Sequence, residues 1–424
     1  MVKNESRRVS PFVWLFLALS FVHFAAASWQ SAQYGFVDLP IFVERTNDFS
    51  QGKALYPNAN DSSAYEPAAA VYKFPPLFAV TLLPQVLAGL GQSIYPLHWA
   101  VHILLYLGAL GLLVAALQRR FELSRSSALL VVGAVGLNFV PFFETLWRLQ
   151  LETPILFLVA LALWAEGGAR RWLSGAALGV AAMLKVYPLF LLGWFVLRRS
   201  VRGVVAASVA LIATFALGWW VIGSEQNLVY YGEILPRMMQ ELPRIDPENI
   251  ALAKPLHVLV GFELESAKRV AQLIALSVVA LGFLLLHGRP FSVRSSVDPF
   301  ALLSVMICGL LMFMPNAWTN YLELSLIPII FVMARCLEEP AGVREWAAAA
   351  AAFAFVLMLF FTPCGDPSTG WPCAQTPRFL AVATLPRQLH DLAISWKPLA
   401  MPLLTIATLL MLPGVPSRRA SSAA

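Results

Sequence analysis

Residues 170–199 read RRWLSGAALGVAAMLKVYPLFLLGWFVLRR, and the fold turns on how this stretch crosses a membrane. An Arg pair stands at each end, with 26 residues between them of which only Lys185 is charged. Basic residues on short connections mark the cytoplasmic side, so both pairs belong on one face and the chain has to enter and return. Two helices of about 12 residues reach only some 18 Å each, short of a ~30 Å hydrocarbon core. The turn Lys185-Val186-Tyr187-Pro188 is therefore expected inside the membrane thickness. One long tilted span is the alternative, but it sets the two Arg pairs on opposite faces and buries Lys185 in mid-helix.

Outward from this hairpin the rest of the chain is equally apolar. Of its 424 residues, 59% are hydrophobic and 13% charged, against about 25% charged in an average soluble domain. This composition predicts an all-α polytopic membrane protein read as one domain over 1–424, with about twelve spans. The apolar runs lie near 11–29, 95–117, 126–143, 154–166, 172–185, 187–197, 203–223, 267–287, 299–315, 321–335, 345–362 and 396–414. The N-terminal run follows a basic segment as a signal peptide does, but it is long and aromatic and is read as an uncleaved first span. The net charge of +6 belongs to cytoplasmic helix ends rather than to a nucleic-acid partner. Counting Arg119, Arg120, Arg125, Arg198, Arg199, Arg335 and their like on alternate connections puts both termini in the cytoplasm.

Three stretches, 30–76, 224–265 and 363–395, are too polar to span and are expected outside. The first external loop runs over 30–94, and its Phe74-Pro75-Pro76 to Leu90 portion suits a short interfacial helix. Cys308 and Cys336 read as small hydrophobes. Cys364 and Cys373 flank a polar loop, where a disulfide is an option in an oxidising compartment. No spacing suggests a zinc site.

Ionisable groups at membrane depth are costly enough to mark function. Asp38 sits one or two turns beyond the first span; its plain alternative is a solvated loop acid. Tyr72-Lys73-Phe74-Pro75-Pro76 brackets a lysine with aromatics, as an interfacial anchor also does. In Trp147-Arg148-Leu149-Gln150-Leu151-Glu152, Arg148 and Glu152 stand at the i, i+4 spacing of a simple helical salt bridge. Lys185 at the hairpin tip needs an anion, either a lipid phosphate or an internal carboxylate such as Glu144 or Glu152. Pro315-Asn316-Ala317-Trp318-Thr319-Asn320 makes a polar turn between two spans.

Taken in order, these pieces resemble glycosyltransferase family 87, the polyprenol-phosphate-sugar dependent mannosyl and arabinofuranosyl transferases of the C-type glycosyltransferase superfold. The resemblance rests on the early external Asp38, the aromatic-basic diproline stretch at Tyr72 to Pro76, Gln150, the Lys185-x-Tyr187-Pro188 motif, and Pro315 with Trp318. It implies an inverting transfer of mannose or arabinofuranose from a polyprenyl-phosphate donor to a hydroxyl of a glycolipid or glycan. The site would face the exterior of a bacterial cytoplasmic membrane, among membrane lipids. Asp38 would be the general base. Lys185, Tyr187, Arg148 and Lys73 would hold the donor phosphate, and Tyr72, Gln150, Glu152, His257, Trp318 and Asn320 the substrates. No metal or cofactor is called for, because basic side chains can neutralise the phosphate. Two departures stand out: Glu152 where family members often carry Asn, and Asn320-Tyr321 where many carry His. His257 is the histidine placed to substitute.

A transporter or flippase also sets charges at membrane depth, but no inverted repeat of broken spans is visible. An oligosaccharide polymerase or ligase of the same superfold is the other alternative, and its pyrophosphate-linked donor calls for more basic residues at the leaving group.

Overall fold

The computed structural model describes residues 11–33, 36, 38–57, 72–121, 123–166, 170–245, 249–287, 298–338, 342–359 and 387–412. Cys364 and Cys373 lie outside them. The described residues hold helices and no strand, with one isolated bridge between Asn249 and Trp318.

In chain order the helices are α1 (Pro11–Gln33), α2 (Leu39–Ser50), α3 (Pro76–Leu87), α4 (Ile94–Phe121), α5 (Arg125–Gly136), α6 (Val140–Arg148), α7 (Glu152–Glu166) and α8 (Arg171–Leu184). They continue with α9 (Gly193–Leu197), α10 (Val201–Ile222), α11 (Ser224–Val229), α12 (Leu235–Gln240), α13 (Ala253–Val258) and α14 (Leu264–His287). The last four are α15 (Pro299–Phe313), α16 (Leu326–Glu338), α17 (Val343–Leu359) and α18 (Arg387–Leu410).

Two layers result from the apolar pattern. Every residue of α15 from Phe300 to Met312 is buried, as a helix hydrophobic all round must be. With α7 and α16 it forms the inner layer. Few residues of α1, α10 and α14 are buried, and side chains such as Phe12, Trp14, Ile212, Trp220 and Leu273 are exposed. These form the outer layer, whose exposed apolar side chains suit lipid surroundings.

Long helices account for only part of the expected dozen spans. Among the described residues five helical segments are long and apolar enough to cross a membrane: Pro11–Gln33, Gly91–Phe121, Val201–Ile222, Leu264–His287 and Thr319–Glu338. The run read as one span over 126–143 is broken, because α5 and α6 meet at a 56° bend. Pro141 at the start of α6 explains it: a proline starts a helix well and cannot continue one. Other runs form shorter apolar helices, such as α8 and α15. At 14 residues, α8 rises roughly 21 Å.

The hairpin itself holds. Arg171 from its start and Arg198 from its end both pair with the buried Glu166 at the foot of α7, at 3.7 and 2.7 Å. Both Arg pairs therefore lie at one end of the molecule. The returning leg is a 3-10 turn, Tyr187–Leu192, followed by α9, so Lys185 sits at the tip. Small residues let α8 press on α10: a Cβ added to Gly175 would stand 2.3 Å from the Gly203 carbonyl oxygen, and one on Gly179 2.6 Å from that of Ala207. Neither position has room for a larger side chain without parting the helices.

Candidate functional site

At the opposite end from Glu166, four elements bring charged groups together. Asp38 occupies the N-cap position of α2, where an Asp side chain normally accepts from the first-turn amides. It makes no such cap bond. Its Oδ2 instead accepts from Gln150 Nε2 at 2.5 Å and faces Arg148 Nη1 at 3.6 Å. The Asp38 amide also donates to the Arg148 carbonyl at 3.4 Å. Oδ1 has no bond in this network. The carboxylate is thus fixed through one oxygen, and its side chain keeps 17% of its surface exposed.

Arg148 and Gln150 can both reach Asp38 because α6 ends abruptly. Leu149 adopts φ 51° and ψ 48°, a left-handed conformation that a bulky residue rarely takes. This break also cancels the anticipated i, i+4 pair of Arg148 with Glu152, which starts the next helix.

Gln150 joins the base to the hairpin. Its Oε1 accepts from Lys185 Nζ at 3.2 Å and from Asn320 Nδ2 at 2.9 Å. These donors settle which end of the amide faces Asp38. Lys185 also pairs with Glu152, whose side chain is fully buried; this is the internal carboxylate partner that the sequence left open. The Lys185 ammonium lies 4.1 Å from the centroid of Tyr321, 5.1 Å from Phe74 and 5.7 Å from Tyr187. An aromatic cage of this kind attracts a cation through the negative faces of its rings. Two positive and two negative side chains, Arg148 and Lys185 with Asp38 and Glu152, make the cluster balanced, which its burial requires. Glu152 Oε2, Asn320 Oδ1 and the Tyr187 hydroxyl are buried with no hydrogen-bond partner among the described residues.

Other sequence candidates stand elsewhere. Tyr72 is 1% exposed and packs against Phe42, Tyr56 and Phe78. Lys73 pairs with Glu241 at 3.2 Å. Burial pulls its ammonium below the usual lysine range, and Glu241 pulls it back. Trp318 pairs with Asn249 and carries Arg244 over its ring at 5.7 Å. The Asn249 side chain accepts from the amides of Ala251 and Ala317, both at 3.0 Å, tying the segment after α12 to the late turn. His257 is spent on the carbonyl of Phe262 at 2.6 Å, closing the turn after α13. Among the described residues no hydrogen bond joins it to Asp38, Gln150 or Lys185.

Two residues escaped the sequence reading. Glu323 is fully buried and accepts from Thr153 Oγ1 at 3.0 Å, one residue from Glu152. His102, in mid-α4, reaches the Gln150 carbonyl at 2.8 Å. Each is an ionisable group inside a long apolar run, and that alone was the available signal. Among the described residues no group of three or more His, Cys, Asp or Glu could hold a metal ion.

A polyprenol-phosphate-mannose-dependent alpha-(1-2)-phosphatidylinositol pentamannoside mannosyltransferase of Mycolicibacterium smegmatis is 28% identical over 202 residues, 47% of this chain and 47% of that protein. The match therefore spans about half the length of that relative. The model of glycosyltransferase family 87 matches residues 72–315, a stretch that contains Arg148, Gln150, Glu152 and Lys185 and covers more than half of the chain. On that match, the chain belongs to glycosyltransferase family 87.

Proposed function

We propose that the protein is an inverting glycosyltransferase of the C-type superfold that moves a sugar from a polyprenyl-phosphate donor to an acceptor hydroxyl at the external face of the membrane. The observation that carries this is the Asp38 carboxylate, held through Oδ2 by Arg148 and Gln150 with Oδ1 left open. Asp38 Oδ1 takes the proton of the acceptor hydroxyl, which must approach to about 3 Å. The hydroxyl oxygen bonds to the anomeric carbon from the face opposite the phosphate. The bond to the phosphate oxygen breaks with its electron pair, and polyprenyl phosphate leaves. One displacement inverts the anomeric centre.

Charge develops on the leaving phosphate and needs fixed donors. Lys185 and the Tyr187 hydroxyl stand at the hairpin tip for that purpose. Glu152 Oε2 and Asn320 Oδ1 are acceptors, and sugar hydroxyls are their natural donors. The printed name of the mycobacterial relative supports mannose as the donor sugar and a glycolipid as the acceptor; arabinofuranose is the family-level alternative. The Arg-rich end around Glu166 supports the assignment of that end, and both termini, to the cytoplasm.

The test is sugar transfer by purified protein offered polyprenyl-phosphate mannose, arabinofuranose and glucose, beside Asp38→Asn. Release of polyprenyl phosphate from one donor by the wild type, with binding but no transfer by the variant, supports the reading. Normal turnover by Asp38→Asn overturns the role of Asp38, and no transfer from any donor overturns the donor class.

A further inference from the structure

We propose that His102 is a positioning residue for the base, acting through Gln150; the inference rests on the reading of Asp38 as that base. His102 lies in the middle of α4 and is 3% exposed. Its Nε2 stands 2.8 Å from the Gln150 carbonyl oxygen, and its Nδ1 stands 2.7 Å from the carbonyl of His98, one turn back on the same helix. Both carbonyls can only accept, and a neutral imidazole has one N–H to give; we assign that proton to Nε2 and the bond to Gln150.

This bond falls where the chain has few others. Gln150 lies between two helices, just after the left-handed Leu149. Its own amide has a single long bond, 3.4 Å to the Thr145 carbonyl. The His102 contact at the Gln150 carbonyl is the shorter of the two backbone anchors of this residue. The side chain of Gln150 cannot adjust for a slip of its backbone. Turning the amide over would aim its oxygen at the Asp38 carboxylate and its NH2 at the Lys185 ammonium and the Asn320 amide NH2, replacing three attractive contacts with repulsive ones. Only a shift of the backbone is left, and it moves Asp38 with it. A misplacement of about 1 Å in a reacting group costs on the order of 100-fold in rate.

Three substitutions separate this role from simple core filling. In His102→Gln the amide nitrogen can reach the place of Nε2. In His102→Asn it replaces Nδ1 and falls short of Gln150, and in His102→Phe the volume is kept and the donor lost. All three are assayed for kcat and donor KM beside Asp38→Asn, with size-exclusion profiles in detergent as the folding control. The expected result is a kcat lowered about 10-fold or more in the Asn and Phe variants, with kcat in the Gln variant within about threefold of wild type and donor KM little changed throughout. If the Phe variant does not fold, the Asn variant carries the test. Wild-type kcat in the Phe or Asn variant, while Asp38→Asn is dead, overturns the positioning role and leaves the base reading intact. Equal losses in all three variants also overturn it, as the mark of a packing role. Wild-type turnover by Asp38→Asn takes down the base reading itself and this inference with it.

Discussion

Two ends of one hairpin carry buried carboxylates, and they are built differently. At the foot, Glu166 meets Arg171 and Arg198, and Asp298 meets Arg120 at 2.8 Å while capping α15. Each acid there closes a local contact and goes no further. At the tip, Glu152 pairs with Lys185, Lys185 donates to Gln150, and Gln150 donates to Asp38. That chain ends on a carboxylate whose other oxygen has no hydrogen bond among the described residues. A closed set of pairs holds helices together, whereas a chain with an open end holds one group ready for a reactant.

The sharpest way to break this contrast is to remove the open end. Asp38→Asn is expected to lower kcat by about 10²- to 10⁴-fold, the range for a lost general base. The start of α2 should survive, because Asp38 does not cap it, but loss of the charge beside the buried Arg148 should lower stability somewhat. Transfer rate and thermal stability in detergent check the two halves of the prediction. The corresponding change at the foot, Glu166→Gln, should reverse the pattern, with lower stability and activity kept per folded molecule.

Next in size is the Lys185 pair. Lys185→Met leaves Glu152 buried without its partner, a loss of about 3–5 kcal/mol when an ion pair is broken from one side. Adding Glu152→Gln removes the stranded charge and should recover much of the stability but none of the activity, because the cation for the leaving phosphate is still gone. Recovery of both would make the pair structural, like the one at the foot.

A smaller effect is expected from the packing that sets the tip's depth. Gly175→Val forces a side chain against the Gly203 carbonyl and should cost about 1–3 kcal/mol by overpacking. A lower melting temperature with unchanged donor KM is the expected result. A raised KM would show that the pressure of α8 on α10 also tunes Lys185.

How much of this was legible depends on distance along the chain. The hairpin was, because two Arg pairs and a membrane thickness leave one solution. Asp38 and Lys185 were, because charges at membrane depth are few. Their connection was not: Asp38 and Gln150 are 112 residues apart, and Lys185 and Gln150 are 35 apart, and no local periodicity reports such pairings. The left-handed Leu149 has no sequence mark either, since leucine gives no reason to expect it. Pro141 did mark the break between α5 and α6, but an unbroken apolar run masked it. Tyr72 and His257 stand apart from the cluster around Asp38. Their neighbours in sequence suited a site, while the fold used one in an aromatic core and the other in a turn.

His257 yields the smallest expected effect and the most direct test of that last point. Its ring is tied to the Phe262 carbonyl, a partly exposed bond of a kind that contributes about 0.5–1.5 kcal/mol. His257→Ala should therefore loosen the turn before α14 slightly and leave kcat within about twofold of wild type. The pH dependence of transfer should not move. Were His257 instead the replacement for a family histidine beside Trp318, its removal would cut kcat as deeply as a change at Gln150. A deep loss would then mean that the second external segment closes onto Asp38 during turnover, bringing the turn and the base together when donor is bound.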